Sequence, residues 1–156
     1  MITNNDIADA IAALVEKAFP GEPLYRSYTP TDFQRPSNLV EISGGKFFPN
    51  AGCSSVELRP QITLTTFTKV DPYHQQDNME LGRRQMMLLG LFLPGYVKVK
   101  DRAPHVLEEG KMENGLDFAA VTVTLSYMLA RQEFMELQRA EDMGALHIRQ
   151  EVTTSG

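Results

Sequence analysis

From Val56 to Thr65 apolar and polar residues alternate: Val56, Leu58, Ile62 and Leu64 take even positions, and Glu57, Arg59, Gln61, Thr63 and Thr65 take odd ones. Successive side chains leave a pleated backbone on opposite sides, so the pattern predicts a long strand with one buried face. Past Asp71 and Pro72 the period lengthens, and Met79, Gly82, Met86, Leu89 and Leu93 recur at steps of three and four. That spacing predicts a helix laid over the apolar face of the strand. Residues 56 to 93 are the expected centre of the fold.

Ahead of this centre, Ile7, Ile11, Leu14, Val15 and Ala18 form the stripe of a first helix. Thr3 or Asn4 can cap it, Asp6 and Asp9 suit the positive end of its dipole, and Phe19, Pro20 and Gly21 stop it. Leu24 to Tyr28 and Leu39 to Ile42 read as short strands, the second entered after Pro36. Between Leu39–Ile42 and the long strand lies a Gly- and Ser-rich stretch, residues 44 to 55, that carries Phe47 and Phe48 side by side. Either the two rings tuck back onto the core as a hairpin extension, or they stand on a loop that a partner buries. Pro60 cannot donate to a ladder, so the long strand is expected to be an edge there or to carry a bulge.

After the second helix, Tyr96 to Lys100 reads as a short strand with Val97 and Val99 on one face, and Val106 and Leu107 form a second apolar pair. Asn114 and Gly115 tolerate positive φ and predict a tight two-residue hairpin turn. Leu116 to Leu129 follows as a central strand, with Val121, Val123, Leu125, Tyr127 and Leu129 alternating against polar and small residues. The remaining residues mix a weak helical spacing, Phe134, Leu137 and Ala140, with a short alternation at Leu146, Ile148 and Gln150. The expected organisation is one domain over residues 1 to 131 and an extension over 132 to 156, disordered from Thr153 onward.

Composition narrows the function classes. Fifteen Lys and Arg against twenty Asp and Glu give a net charge of −5, acidic for a protein whose main task is to neutralise phosphates. The single cysteine, Cys53, excludes an internal disulfide, and the absence of a signal-like start or of a long apolar run makes a soluble, cytoplasmic protein the default. His74, His105 and His147 lie in different elements without metal-ligand spacing, so no metal site is expected. Cys53 is a nucleophile only if the fold brings His74 or His105 to it, and an incidental thiol is the favoured reading. Glu80 is spaced to pair with Arg83 or Arg84 on a solvated helix face, from which the arginines could instead reach a neighbouring subunit. Glu108, Glu109, Glu113 and Asp117 gather near the hairpin tip as a solubilising edge. No catalytic signature and no cofactor motif is present.

The ordered pattern resembles the tail terminator, or tail completion, proteins of long-tailed bacteriophages, especially a branch found in phages and prophages of Gram-positive bacteria. The residues that carry it are the opening helix TNNDIADAIAALVEKAFPG, then LYRSYTPTDFQRPSNLVEI with Tyr25, Phe33, Arg35 and Pro36, and the long strand QITLTTFTK. The helix MELGRRQMMLLGLF, the late strand GLDFAAVTVTLSYML and the closing DMGALHIRQEV complete it. Most of the chain is covered in order. The loop 44 to 55 departs from the family pattern in being longer and more aromatic.

The resemblance implies an α+β fold, a mixed and mainly antiparallel sheet with two helices packed on one face. It implies a non-enzymatic virion protein without a cofactor, forming a homohexameric ring at the head-proximal end of the tail tube. Such a ring ends tube polymerisation and joins tail to head, with tail tube protein and a head-closure protein as partners. Neither membrane nor sequence-specific nucleic acid enters that role. Phe47, Phe48, Arg83, Arg84, Leu146 and Ile148 are the expected interaction residues. The alternatives are another neck or head-closure protein, a small nucleic-acid module using the strip Arg83, Arg84, Lys98 and Lys100, and an enzyme built on Cys53.

Overall fold

The computed structural model describes residues 1–49, 54–69, 78–107 and 109–154, with the side chains of 78 and 144–154 excepted. Over these described residues it is an α+β fold, with three helices and a mixed, mostly antiparallel sheet. Helix α1 (Asn4–Ala18) begins with a capping box, in which the Asp6 N–H donates to Thr3 Oγ at 3.3 Å and the Thr3 N–H donates to the Asp6 carboxylate at 2.8 Å. That reciprocal pair satisfies donors a helix start leaves open, worth about 1 kcal/mol. The Thr3 N–H, followed by Lys100, also holds the Asp6 carboxyl below its ordinary value. Ile7, Ile11 and Val15 are buried, as their spacing requires, and the helix ends at Phe19.

Strands β1 (Leu24–Arg26), β2 (Ser37–Pro49), β3 (Ser55–Phe67), β4 (His105–Val106), β5 (Lys111–Asn114) and β6 (Phe118–Ala130) form the sheet in the order β1-β2-β3-β6-β4, with β5 also on β6. β1 runs parallel to β2; β4 and β5 run antiparallel to β6. Ser43 reaches Gln61 O while Gly45 faces Arg59, so β2 and β3 are antiparallel as well. Thr63 lies against Thr122, and the Thr68 N–H reaches Asp117 O, so β3 and β6 are antiparallel too. Odd residues of β6 from Ala119 to Leu129 are buried, as their alternation predicts, and Ile62 and Leu64 are buried on β3.

Local patterns misplace five features. Pro60 is buried in an inner strand, and the irregularity it predicts sits in β2, where Gly45 adopts φ +67° opposite Arg59 and Pro60. Far from being a loop, residues 44 to 49 belong to β2. The tight turn falls on Leu116 and Asp117, closed by the Gly115 N–H to Phe118 O at 2.8 Å, because Asn114 is still paired with Ala119. Tyr96 to Lys100 forms isolated bridges at Tyr96 and Val99 instead of a strand, although Val97 and Val99 are buried as expected. Leu146 to Gln150, read as alternating, is helical, part of α3 (Arg131–Thr154).

By compactness the chain divides into two units. The larger comprises Ile2–Lys46 and Leu58–Tyr127 and contains α1, α2 (Asn78–Gly90) and most of the sheet. The smaller comprises Met1, Phe47–Glu57 and Met128–Gly156, and contains the far ends of β2, β3 and β6 together with α3. Within it the Arg131 N–H donates to Ser54 O at 2.9 Å and the Ala130 N–H to the Glu133 carboxylate at 2.7 Å, which caps the start of α3.

Candidate functional site

Helix α2 turns a different face inward from the one its apolar spacing predicts. Met79 and Leu93 are 88% and 80% exposed, and Met86 is exposed too. The buried stripe is Leu81, Arg84, Gln85, Leu88 and Phe92. Two of these residues are polar, and each is satisfied. Gln85 donates to Ala120 O at 3.1 Å and to Asn114 Oδ1 at 2.8 Å.

Arg84, 3% exposed, grips Glu22 through both terminal nitrogens at 2.8 and 2.6 Å and donates Nε–H to Thr66 Oγ at 2.7 Å. Its guanidinium lies 4.4 Å from the centroid of Phe19, and Asn38 bridges the same carboxylate from Nδ2 at 3.1 Å. A planar, permanently charged fork suits such a site better than any other side chain. The Arg84 hydrogen bonds, outweighing the partial burial that opposes them, hold the Glu22 carboxyl below its ordinary value. Arg84 therefore ties together the end of α1, β2, β3 and α2, and does not stand on the solvated face where its spacing places it.

Arg83 does lie on that solvated face, held to Glu80 at 2.6 and 3.0 Å. The pair lowers the Glu80 carboxyl and raises the Arg83 guanidinium, each through their mutual hydrogen bonds. Both line an open cleft of about 460 Å³ walled by Phe19, Pro36 and Met87, with Lys69 at its margin.

A second cluster gathers the residues that precede β2. Phe33 packs on Phe67 at 4.7 Å between centroids and edge-on against Tyr25 at 6.2 Å. Arg35 stacks over Phe33 at 4.6 Å and pairs with the Asp117 carboxylate. It also donates to Asp117 O at 3.3 Å and Thr68 O at 3.4 Å. Asp117, expected on a solubilising edge, is instead the anchor of this knot.

In the smaller unit Phe47 is 67% and Phe48 41% exposed, so the rings do not tuck away. Met128 of β6 and Phe134, Met135, Leu137 and Met143 of α3 are exposed in the same unit. Every residue from Phe134 to Met143 is exposed, which gives this part of α3 no buried face. Leu146 and Ile148 lie further along α3, where only the backbone is described.

Cys53, His74 and Glu108 lie outside the described residues, as does the break at Asp71 and Pro72. His105 is exposed on β4, and His147 lies on α3 beyond the described side chains. The basic strip proposed for nucleic acid does not assemble as a free surface. Arg84 is held by Glu22, Arg83 by Glu80, and Lys100 by Asp6 at 3.1 Å. Among the described residues no helix is long and apolar enough to cross a membrane. No protein-family model and no curated protein matches the chain.

Proposed function

We propose that the protein is a bacteriophage or prophage tail terminator, a structural subunit that forms a ring on the head-proximal end of the tail tube. In this reading the ring stops tube polymerisation and presents the surface on which the head docks through its closure protein. In this reading α1 and α2 pack on one face of the sheet, as the resemblance to that family implies. The reading rests on the ordered sequence resemblance, and one structural observation favours it: the exposed apolar side chains concentrated around Phe47, Phe48 and α3. Monomeric proteins rarely leave so many large apolar groups in one small unit to water, and a patch of that kind marks a contact with another protein.

A cyclic assembly further needs a heterologous interface that closes on itself. β1 covers only residues Asn38 to Val40 along the outer edge of β2, so the rest of that edge has no strand neighbour among the described residues. An open edge of this kind is a ready template for pairing between copies.

Light scattering behind a sizing column, with and without tail-tube protein, tests the reading. The expected result is a species near six times 17.5 kDa, about 105 kDa, at high concentration or on the tube. Replacing Phe47 and Phe48 together with serine is expected to abolish that species while leaving the fold intact. A monomer that neither self-associates nor joins the tube would overturn the proposal, and a hexamer indifferent to the double substitution would remove the two phenylalanines from it.

A further inference from the structure

On the larger unit, away from the cleft beside α2, a groove of about 480 Å³ crosses β2, β3 and β6 and is bounded by the segment that leads into β5. Its charge runs against the rest of the molecule. The whole chain carries −5, yet Lys46, Lys111 and Arg59, the last already engaged in an interaction of its own, converge here, with Glu109 the acidic side chain among the described lining residues. Lys46 is exposed, and Lys111 is exposed with only a loose pairing to Glu113 at 3.9 Å. Gly110 sits close to β6, where a Cβ would meet Thr122 O at 3.1 Å, and this close approach seats Lys111 on the rim.

The floor is polar without being charged. It is built from Gln61, Thr122 and Thr124, whose amide and hydroxyls can both donate and accept. Thr122 shares a hydrogen bond with Thr63 at 3.1 Å, which leaves its hydroxyl a second bonding direction. A floor of this kind suits peptide N–H and C=O groups, and the exposed Lys46 and Lys111 at its margins suit carboxylates.

From these observations we infer that the groove is a docking site for a short, extended, acidic segment of a partner polypeptide. From Lys46 on β2 across β3 and β6 to Lys111 on β5 there are three strand spacings of ~4.8 Å, about 14 Å or the length of roughly four extended residues, so carboxylates of one short segment can reach opposite margins. Single-stranded nucleic acid fits less well, because no aromatic ring is found among the described residues that line the groove, and stacking is what such ligands need. The inference is independent of the ring and of Phe47 and Phe48.

Fluorescence anisotropy with labelled hexaglutamate as probe tests it on the full chain, with hexalysine and a hexathymidylate oligonucleotide as comparators. Wild type is expected to bind hexaglutamate in preference to both, with affinity falling as salt is raised. Lys46→Glu with Lys111→Glu is expected to weaken that binding at least about tenfold. Lys17→Glu with Lys98→Glu, the same change of net charge on exposed lysines elsewhere, is expected to change it less than about twofold. The thermal melt of each variant checks that these surface changes leave the fold in place. Equal weakening by the two pairs would reduce the effect to net charge and overturn the site. Absence of hexaglutamate binding, or tighter binding of the oligonucleotide lost in the first pair alone, would overturn the assignment to an acidic polypeptide.

Discussion

Replacing Arg84 with alanine is expected to lower the unfolding free energy by about 3 to 5 kcal/mol, the cost of removing one partner from a buried ion pair. The substitution strands Glu22, Asn38 and the Thr66 hydroxyl together and removes the cation over Phe19. For a chain of this length the melting temperature should fall by roughly 10 °C. Changing both partners to apolar residues, Arg84→Met with Glu22→Leu, should cost less than Arg84→Met alone, because no charge is then left without its partner. A double cycle that proved strictly additive would show that the pair does not act as a unit.

The same pair carries a pH dependence. Glu22 has a folded-state pKa below its unfolded one, chiefly through its hydrogen bonds from Arg84. Its contribution is therefore complete at and above neutral pH and is lost as the pH falls through the depressed folded value. Urea unfolding of Glu22→Gln should vary less between about pH 7 and pH 3 than that of wild type. An identical dependence in both proteins would place the acid sensitivity in other carboxylates.

Gly45→Ala is expected to cost about 2 to 4 kcal/mol, while Gly44→Ala next to it should be close to neutral. At Gly45 the backbone has φ +67°, and a Cβ would lie 1.9 Å from the carbonyl oxygen of Arg59 on the neighbouring strand. Backbone on both sides must move to admit it. At Gly44 a Cβ meets nothing within 4 Å. Denaturant melts of the two variants separate a conformational requirement at a single position from a general preference for small residues in this stretch. Equal losses would mean that the strand tolerates no side chain at either position.

Much of the fold is legible along the chain where one element decides its own burial. The stripe of α1 and its cap, and the alternation of β6, needed only side-chain period and local hydrogen bonding. The hairpin shows where local chemistry loses. Asn114 and Gly115 carry the turn preference, yet the pairing of Asn114 with Ala119 pushes the turn to Leu116 and Asp117. On α2 the apolar period points to the methionines, but the inward face is chosen by Arg84 and Gln85. Their acceptors are Glu22, 62 residues away, and Ala120 O, 35 residues away. No window along the helix contains those partners. Tyr25, Phe33 and Arg35 stood out as residues, but what joins them is supplied from elsewhere in the chain, Phe67 by β3 and Asp117 by the turn before β6. The basic groove is hidden for the same reason, since Lys46, Arg59 and Lys111 are scattered over three segments and only strand order brings them together.

Helix α3 has a consequence for folding energetics. Its 24 residues extend about 36 Å, and from Phe134 to Met143 no side chain is buried in the chain itself, Phe134 being 40% and Leu137 46% exposed. Most helices in proteins are held by a packed face, and intrinsic propensity alone sustains an isolated one only marginally. On the proposed assembly the helix content of residues 131 to 154 is coupled to association: a partner that covers Phe134, Met135 and Leu137 also supplies free energy that completes the helix. Protein concentration, through mass action, is then expected to act on secondary structure as well as on the proposed assembly.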